Sequence, residues 1–255
     1  MTSATSETKP PSSEPEERFS DRTGGAFVAP TLLFTPAAAV PAWTARVIGG
    51  AEIQPNSGVY DVARPLLSGE VGLGRGFTVG AGTRWVGGDN ATATDGLTPF
   101  AQARYQLFGN TNGSGWVGGV SLTYKQIGFK GAEPELEGSF SIQHRAKMFE
   151  IGAQATVGQA LKDGGEHDLE ARLLALYRFI PELGIGAAGQ IRGDIGEEEQ
   201  EANRPTGKRD FDAVGGAIAS ATYGRWQLAA LGGMSTLGLR NKASPITQIF
   251  AGAQF

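Results

Sequence analysis

The sequence predicts an all-β protein: a transmembrane antiparallel β-barrel of about twelve strands with a disordered N-terminal tail. Three observations carry that prediction. Apolar and polar residues alternate with a period of two through most of the chain, which is the mark of strands with two unlike faces. Every charge within those strands falls on one face. Short turns and longer polar loops then follow one another in strict alternation, the layout of a membrane-spanning meander.

Composition narrows the alternatives. The chain holds 39 glycines in 255 residues, about twice ordinary usage, which opposes helix and favours turns and close backbone approach. It has no cysteine, so disulfides and thiolate metal sites are excluded. A net charge of -4 gives no electrostatic footprint for nucleic acid. No apolar run reaches the roughly 18 residues of a transmembrane helix, which leaves strands as the means of crossing.

Residues 1–25 are polar, proline-bearing and mildly acidic; they bury too little apolar surface to offset ordering entropy, so disorder is expected. Residues 26–42 (AFVAPTLLFTPAAAVPA) are apolar but broken by Pro30, Pro36 and Pro41. The acidic residues before them differ from the basic start of an export signal, and no such signal is evident. This segment is expected to be a linker or a plug.

The barrel is expected over residues 43–255. In WTARVIGGAEIQ, the odd positions from Trp43 to Ile53 are apolar or small, while Thr44, Arg46, Glu52 and Gln54 alternate with them and Ile48 is the exception. The same alternation marks strands at 43–54, 65–74, 76–86, 97–108, 115–127, 136–145, 148–160, 167–179, 183–194, 211–222, 226–237 and 246–255. Short turns are expected around Arg75, 109–114, Ala146-Lys147, Ile180-Pro181-Glu182 and Gly224-Arg225. Longer loops are expected at 55–64, 87–96, 128–135, 161–166, 195–210 and 238–245. An even strand number places both chain ends on the short-turn side.

The charged strand residues are Arg46, Glu52, Glu70, Arg84, Arg104, Lys125, Glu137, Arg145, Glu150, Asp168, Glu170, Arg172, Arg178, Arg192, Asp194 and Asp212. All share their strand's polar face. Turned outward in a bilayer, an Arg or Lys at the midplane costs roughly 2–4 kcal/mol. Turned inward in a soluble barrel, the opposite face of Ala and Gly could not fill the space that twelve strands enclose. The apolar face therefore belongs outside, against lipid. Aromatics sort to strand ends: Trp43, Phe77, Tyr105, Trp116, Phe149, Tyr177, Phe179, Tyr223, Trp226 and Phe255 near the short turns, Trp85, Tyr124 and Phe211 near the long loops. Such bands sit at membrane interfaces, and Trp43, Trp85, Trp116, Tyr223, Trp226 and Phe255 are the expected interface residues.

Over residues 43–255 the chain resembles a bacterial outer-membrane β-barrel of the porin-like kind, in architecture rather than in any functional family. The last strand, ITQIFAGAQF, ends on Phe255 with Ala253, Ala251 and Ile249 on its face, similar to the terminal-aromatic signal read by the barrel-insertion machinery of Gram-negative bacteria. The resemblance implies integration among outer-membrane lipids, periplasmic short turns and termini, and external long loops. It also makes periplasmic or envelope-complex proteins candidate partners of residues 1–42.

Several motifs carry less than their letters suggest. Gly184, Gly186 and Gly189 match a dinucleotide loop, but no helix follows them as that chemistry requires. Arg192-Gly193-Asp194 is an adhesion-like tripeptide that chance supplies. His144 takes outward parity with no serine beside it, and a base without a nucleophile makes no dyad. His167, Asp168 and Glu170 share one mouth of the barrel without the spacing of outer-membrane proteases. The loop run Glu197, Glu198, Glu199 and Glu201 lacks ordered cation-ligand spacing. No catalytic residue, metal or cofactor is expected.

The expected function is a small, weakly selective channel for small solutes, lined by Arg46, Glu70, Arg84, Arg104, Lys125, Glu150, Arg172 and Asp212. Over all sixteen strand charges the inward face is balanced, eight basic and eight acidic, which opposes strong ion selectivity, since that uses rings of one sign. The inward glycines Gly72, Gly74, Gly80, Gly82, Gly184 and Gly186 are expected to leave space on part of the wall, to conduct solute or to be filled by residues 26–42 as a plug. The alternatives are a structural barrel anchoring an envelope complex through residues 1–42 and, third, an outer-membrane hydrolase.

Overall fold

A computed structural model describes residues 36–54, 62–86, 96–110, 115–127, 133–161, 167–180, 182–195, 211–236 and 243–255. Twelve strands follow in chain order: β1 Ala45–Gln54, β2 Val62–Gly74, β3 Phe77–Val86, β4 Gly96–Phe108, β5 Gly115–Ile127, β6 Glu133–Arg145, β7 Phe149–Ala160, β8 His167–Ile180, β9 Leu183–Ile195, β10 Phe211–Tyr223, β11 Trp226–Ser235 and β12 Ser244–Gln254. Each pairs antiparallel with its sequence neighbours, and β1 pairs with β12 to close the barrel. The expected all-β barrel is the observed one. Residues 1–35 and the loops at 55–61, 87–95, 196–210 and 237–242 lie outside the described residues, and with them the tail expected at 1–25, most of segment 26–42 and the acidic run Glu197–Glu201.

Strand limits agree with the periodicity to within three residues, and the differences have local causes. Strand β6 begins at Glu133 rather than 136 because Pro134 is accommodated beside Gln126 at the strand start, where a missing N–H is tolerated. Pro65, Pro99 and Pro245 occupy similar positions, all at the loop ends of strands. Strand β1 starts at Ala45, and Trp43 stands before it with a φ of 58°. That left-handed backbone is costly for an indole-bearing residue. It lets the chain pass over the barrel rim, with Ala42 bridged to Gly72 and the Trp43 N–H donating to the Gly72 carbonyl at 2.7 Å.

The turns show why glycine gathers there. Arg75 and Gly76 form the two-residue connection between Gly74 and Phe77, both at positive φ (50° and 81°), as a type I′ hairpin requires. Gly224 and Arg225 join Tyr223 to Trp226, with only Gly224 at positive φ, the type II′ pattern. Tight turns at one end and long excursions at the other set the direction of every strand.

Side chains alternate strictly between the two faces. In β7 and β11 exposed and buried residues take turns along almost the whole strand. Leu173, Leu67, Ile185, Leu228 and Ile249 are more than half exposed on the outside. An apolar wall of this extent marks a lipid-facing surface, and the inward face holds the ions.

Candidate functional site: the barrel lumen

The lumen has two unlike walls. Along β1 to β8 the inward residues are largely charged or polar. Arg46 donates through Nε to Glu70 Oε2 at 3.0 Å, and Arg104 Nη2 reaches the same oxygen at 3.0 Å. Glu70 lies on β2 and Arg104 on β4, so this bridge must cross β3. It can do so because β3 presents Gly80 there: a Cβ at that position would stand 2.9 Å from Glu70 Cγ. Nearer the loops, Lys125 pairs with Glu137 and lies 4.0 Å from Glu135, while Arg84 stands 3.8 Å from Glu52. Arg172 grips Glu170 in a fork, at 2.7 and 2.9 Å, and Arg192 pairs with Asp168.

Close to the short turns, Glu150 is fully buried. It accepts from Arg178 Nε at 3.1 Å and from Gln143 Nε2 at 2.5 Å. Such pairs hold only because each buried charge meets a partner of opposite sign. The cations and carboxylates therefore neutralise each other along this wall.

The second wall, along β8 to β12, carries an apolar patch, with buried polar side chains such as Ser220, Gln227 and Gln248 beside it and Arg192 of β9 reaching back to Asp168. Leu174, Leu176, Ala188, Val214, Ile218, Leu231 and Ile246 face inward and form one buried cluster. Leu174 and Leu176 share parity with Arg172 and Arg178 on the same strand, so the change of character occurs within β8.

Residues 36–42 run inside the barrel against the first wall. From the rim, the Val40 N–H donates to Thr78 Oγ1 at 2.9 Å and the Ala39 N–H to Gln106 Oε1 at 3.0 Å. Farther in, Arg104 Nη1 donates to the Pro36 carbonyl at 3.1 Å. Ala37 and Ala38 pack with Val117 of β5. Two inward glycines make the approach possible: a Cβ on Gly72 would stand 2.1 Å from the Pro41 carbonyl oxygen, and one on Gly119 2.6 Å from that of Ala37.

Above Pro36 lies a cavity of about 210 Å³. Its ionic lining is Arg46, Glu70, Arg84, Lys125, Glu137 and Arg172, joined by Phe100 and by amides and hydroxyls of β2 and β4 to β7. Gln102 donates to Thr123 Oγ1 at 3.0 Å, and Ser139 and Thr156 share a hydrogen bond of 2.9 Å. The lining carries four cations and two carboxylates, and Arg84 and Arg172 also meet Glu52 and Glu170 outside it; with its amides and hydroxyls it presents both donors and acceptors, which suits a hydrated polar solute.

Of the residues expected to line a pore, Arg46, Glu70, Arg84, Lys125 and Arg172 border this cavity. Arg104 faces inward but holds the Pro36 carbonyl and Glu70. Glu150 is sealed under Arg178 and Gln143, away from the cavity. Asp212 lies opposite Arg192 in the ladder, and its side chain is outside the described residues. Glu135 was not among the expected residues, because the strand containing it starts earlier than the pattern around Pro134 suggests.

The space beside the inward glycines is taken, by residues 40–41 at Gly72 and by neighbouring strands elsewhere. Gly82 accommodates the Phe100 ring, Gly184 lies against the Arg178 stem and Ser220, and Gly72 receives the inner segment. They act as notches for large neighbours.

The outer aromatics gather at the short-turn end. Trp43, Trp116, Tyr223, Trp226 and Phe255 are exposed there, with Phe77 on Tyr105 at 5.4 Å and Phe149 on Tyr177 at 5.2 Å. Arg225 stands over the Trp226 and Phe255 rings at 5.7 and 5.0 Å. Trp85 lies at the loop end of β3, opposite Leu97, and its side chain is outside the described residues. His144 meets Trp116 in a tilted ring contact at 4.7 Å on the outer face. Asp168 and Glu170 are engaged by arginines, and among the described residues no group of three or more His, Asp or Glu side chains could hold a metal ion.

Comparison with solved structures finds the same fold in porins. The chain is similar to the NanC porin at 8% identity, covering 82% of this chain and 98% of that one with a TM-score of 0.60. It is similar to the KdgM porin at 10% identity, covering 82% and 99%, with a TM-score of 0.55. A structure of the KdgM porin in complex with disordered oligogalacturonate matches at 10% identity, covering 82% and 99% with a TM-score of 0.56. At these identities the likeness is one of fold: a porin-like outer-membrane β-barrel. No family model matches the chain, and no curated protein matches it.

Proposed function

We propose that the chain is an outer-membrane channel for small polar solutes, weakly selective by charge. The observation that carries this reading is the cavity above Pro36, lined by ion-paired side chains, amides and hydroxyls and enclosed by a barrel whose outer face is apolar. Solute would pass between the paired ions of β1 to β8, exchanging water for amide, hydroxyl and ionic contacts on the way. The KdgM porin, solved in complex with disordered oligogalacturonate, is a precedent for a saccharide complex of such a fold, and a saccharide is one polar solute of this class.

In this reading the short turns and both termini face the periplasm, the aromatic band sits at the membrane interface, and the insertion machinery engages β12 through Phe255. The structural-anchor alternative has less support from residues 36–42, whose backbone groups are already engaged inside the barrel. An anchor would have to use residues before them.

Planar-bilayer recording of the refolded full chain tests the channel. The variant Arg104→Ala, which frees the Pro36 carbonyl, is expected to give larger or more frequent steps than the unaltered chain. Silence from both proteins, with circular dichroism showing folded barrels, would remove the channel reading.

A further inference from the structure

The outer wall is not evenly filled. On its lipid-facing side, Ile151, Ala175 and Ala187 lie in register across β7, β8 and β9, and Ala153, Leu173 and Gly189 do so one step nearer the loops. The two rows mix large and small side chains. The alanines and the glycine make a floor, around which Leu173 and Trp116 stand 65% and 53% exposed, with Ile151 between. Together they shape a groove of about 590 Å³ with an apolar lining.

The groove sits just inside the aromatic band. Phe149, Tyr177 and Ile185 lie in register one step nearer the short turns, and the Phe149 and Tyr177 rings meet at 5.2 Å. Such rings mark the depth of the lipid headgroups. Beyond them the turn between β6 and β7 carries an exposed Lys147, with Arg145 half-buried beside it, and Glu182 stands before β9. Among the described residues of these two turns, two cations therefore stand against one carboxylate. From Lys147 to Ile151 the chain spans at most roughly 13 Å. The cation is thus at headgroup depth where the groove lies among acyl chains.

We propose that this groove binds one acyl chain of an anionic phospholipid, with the lipid phosphate at Lys147. The lining offers hydrocarbon contact and asks for no hydrogen bond, as a methylene chain requires. Lysine at the bilayer surface attracts anionic lipid. A second copy of the barrel fits less well, since its convex wall would rest on Leu173 and Trp116 while a single chain reaches the floor between them. The site belongs to the membrane-facing wall and takes nothing from the lumen.

Trp116 borders the groove and reports on its occupant. The chain holds 4 tryptophans, so replacing Trp43, Trp85 and Trp226 by Phe leaves Trp116 as the only indole. This full-length variant is refolded into phosphatidylcholine vesicles and titrated with phosphatidylglycerol or phosphatidylcholine carrying brominated chains, which quench indole emission on contact. Phosphatidylglycerol is expected to associate on the order of fivefold more strongly, the effect of one lysine beside an anionic headgroup. Lys147→Glu should abolish that preference. Ala187→Leu, alone and with Ala175→Leu, should abolish it as well by filling the floor while Lys147 stays in place. Both alanines face lipid, so circular dichroism is expected to show unchanged barrels. Equal quenching by the two lipids before any groove substitution would overturn the proposal. A preference that survives the leucines would also overturn it, because surface charge alone would then account for the lipid. Quenching that falls as the protein is crowded in the vesicle would do the same, by placing a second copy against Trp116. Conductance plays no part in these readouts, so their outcome leaves the channel proposal untouched.

Discussion

The two walls of the lumen solve the same problem by opposite means. Both belong to strands whose outer face is apolar, and both must fill space inside a closed sheet. Along β1 to β8 the space is spanned by ion pairs that reach over glycine notches, as Glu70 does over Gly80 to Arg104. Along β8 to β12 part of it is filled by a cluster of Leu, Ile, Val and Ala that contains no ion, although Arg192 and Asp168 pair on β9 and β8 beyond it. The difference teaches that the outer face answers only to lipid, while the inner face is free to vary around the circumference. Passage is expected where the filling is polar, and closure where it is apolar.

Substitutions can break each wall in its own currency. The largest loss is expected at the sealed pair of the polar wall: Glu150→Ala removes the buried carboxylate that Arg178 grips and should cost about 3–5 kcal/mol, read by urea unfolding of the refolded barrel. On the apolar wall, Leu231→Ala should cost about 2–4 kcal/mol by the same measurement. A cost near zero there would mean that the wall is not tightly covered. Gly80→Val should push Glu70 off Arg104 and cost about 1–3 kcal/mol, whereas Gly138→Val, at a position with open space around it, should be nearly neutral; equal effects would remove the notch argument. Arg84→Glu with Lys125→Glu should move the reversal potential in a KCl gradient toward cation preference with little change in stability. The smallest effect belongs outside both walls, where Arg225→Ala loses ring contacts with Trp226 and Phe255 worth about 0.5–1 kcal/mol, visible as a slight fall in unfolding midpoint.

The strands, their faces and the aromatic band were legible in the sequence because a period of two is a local property. Arg172 and Arg178 fix the inward parity of β8 without any knowledge of its neighbours. What fills the lumen was less legible, because it depends on register. Nothing local says that Glu70 will pass over β3, or that Gly72 and Gly119 will receive a peptide backbone; those glycines read as empty space until the neighbouring strands are placed. Leu174 and Leu176 did carry a signal, sharing parity with the arginines. It was masked because apolar residues on both faces of a strand read as noise against a uniformly apolar outside. Glu135 was hidden by Pro134, whose usual place in a loop shortened the apparent strand.

The closure between β1 and β12 has a consequence in time. Glu52 and Gln248, 196 residues apart, share a hydrogen bond, and the backbones of Ala45 and Phe255 exchange two. Every other pairing in the barrel joins strands adjacent in sequence. Hairpins can therefore assemble as soon as their own residues are available, but the seam must wait for both margins of the sheet. Pairing across so long a separation is slow, and until it forms, two unsatisfied strand edges remain open to foreign partners. The last step of assembly is thus the one most exposed to error, and a chaperone that shields either margin would act there with the greatest effect.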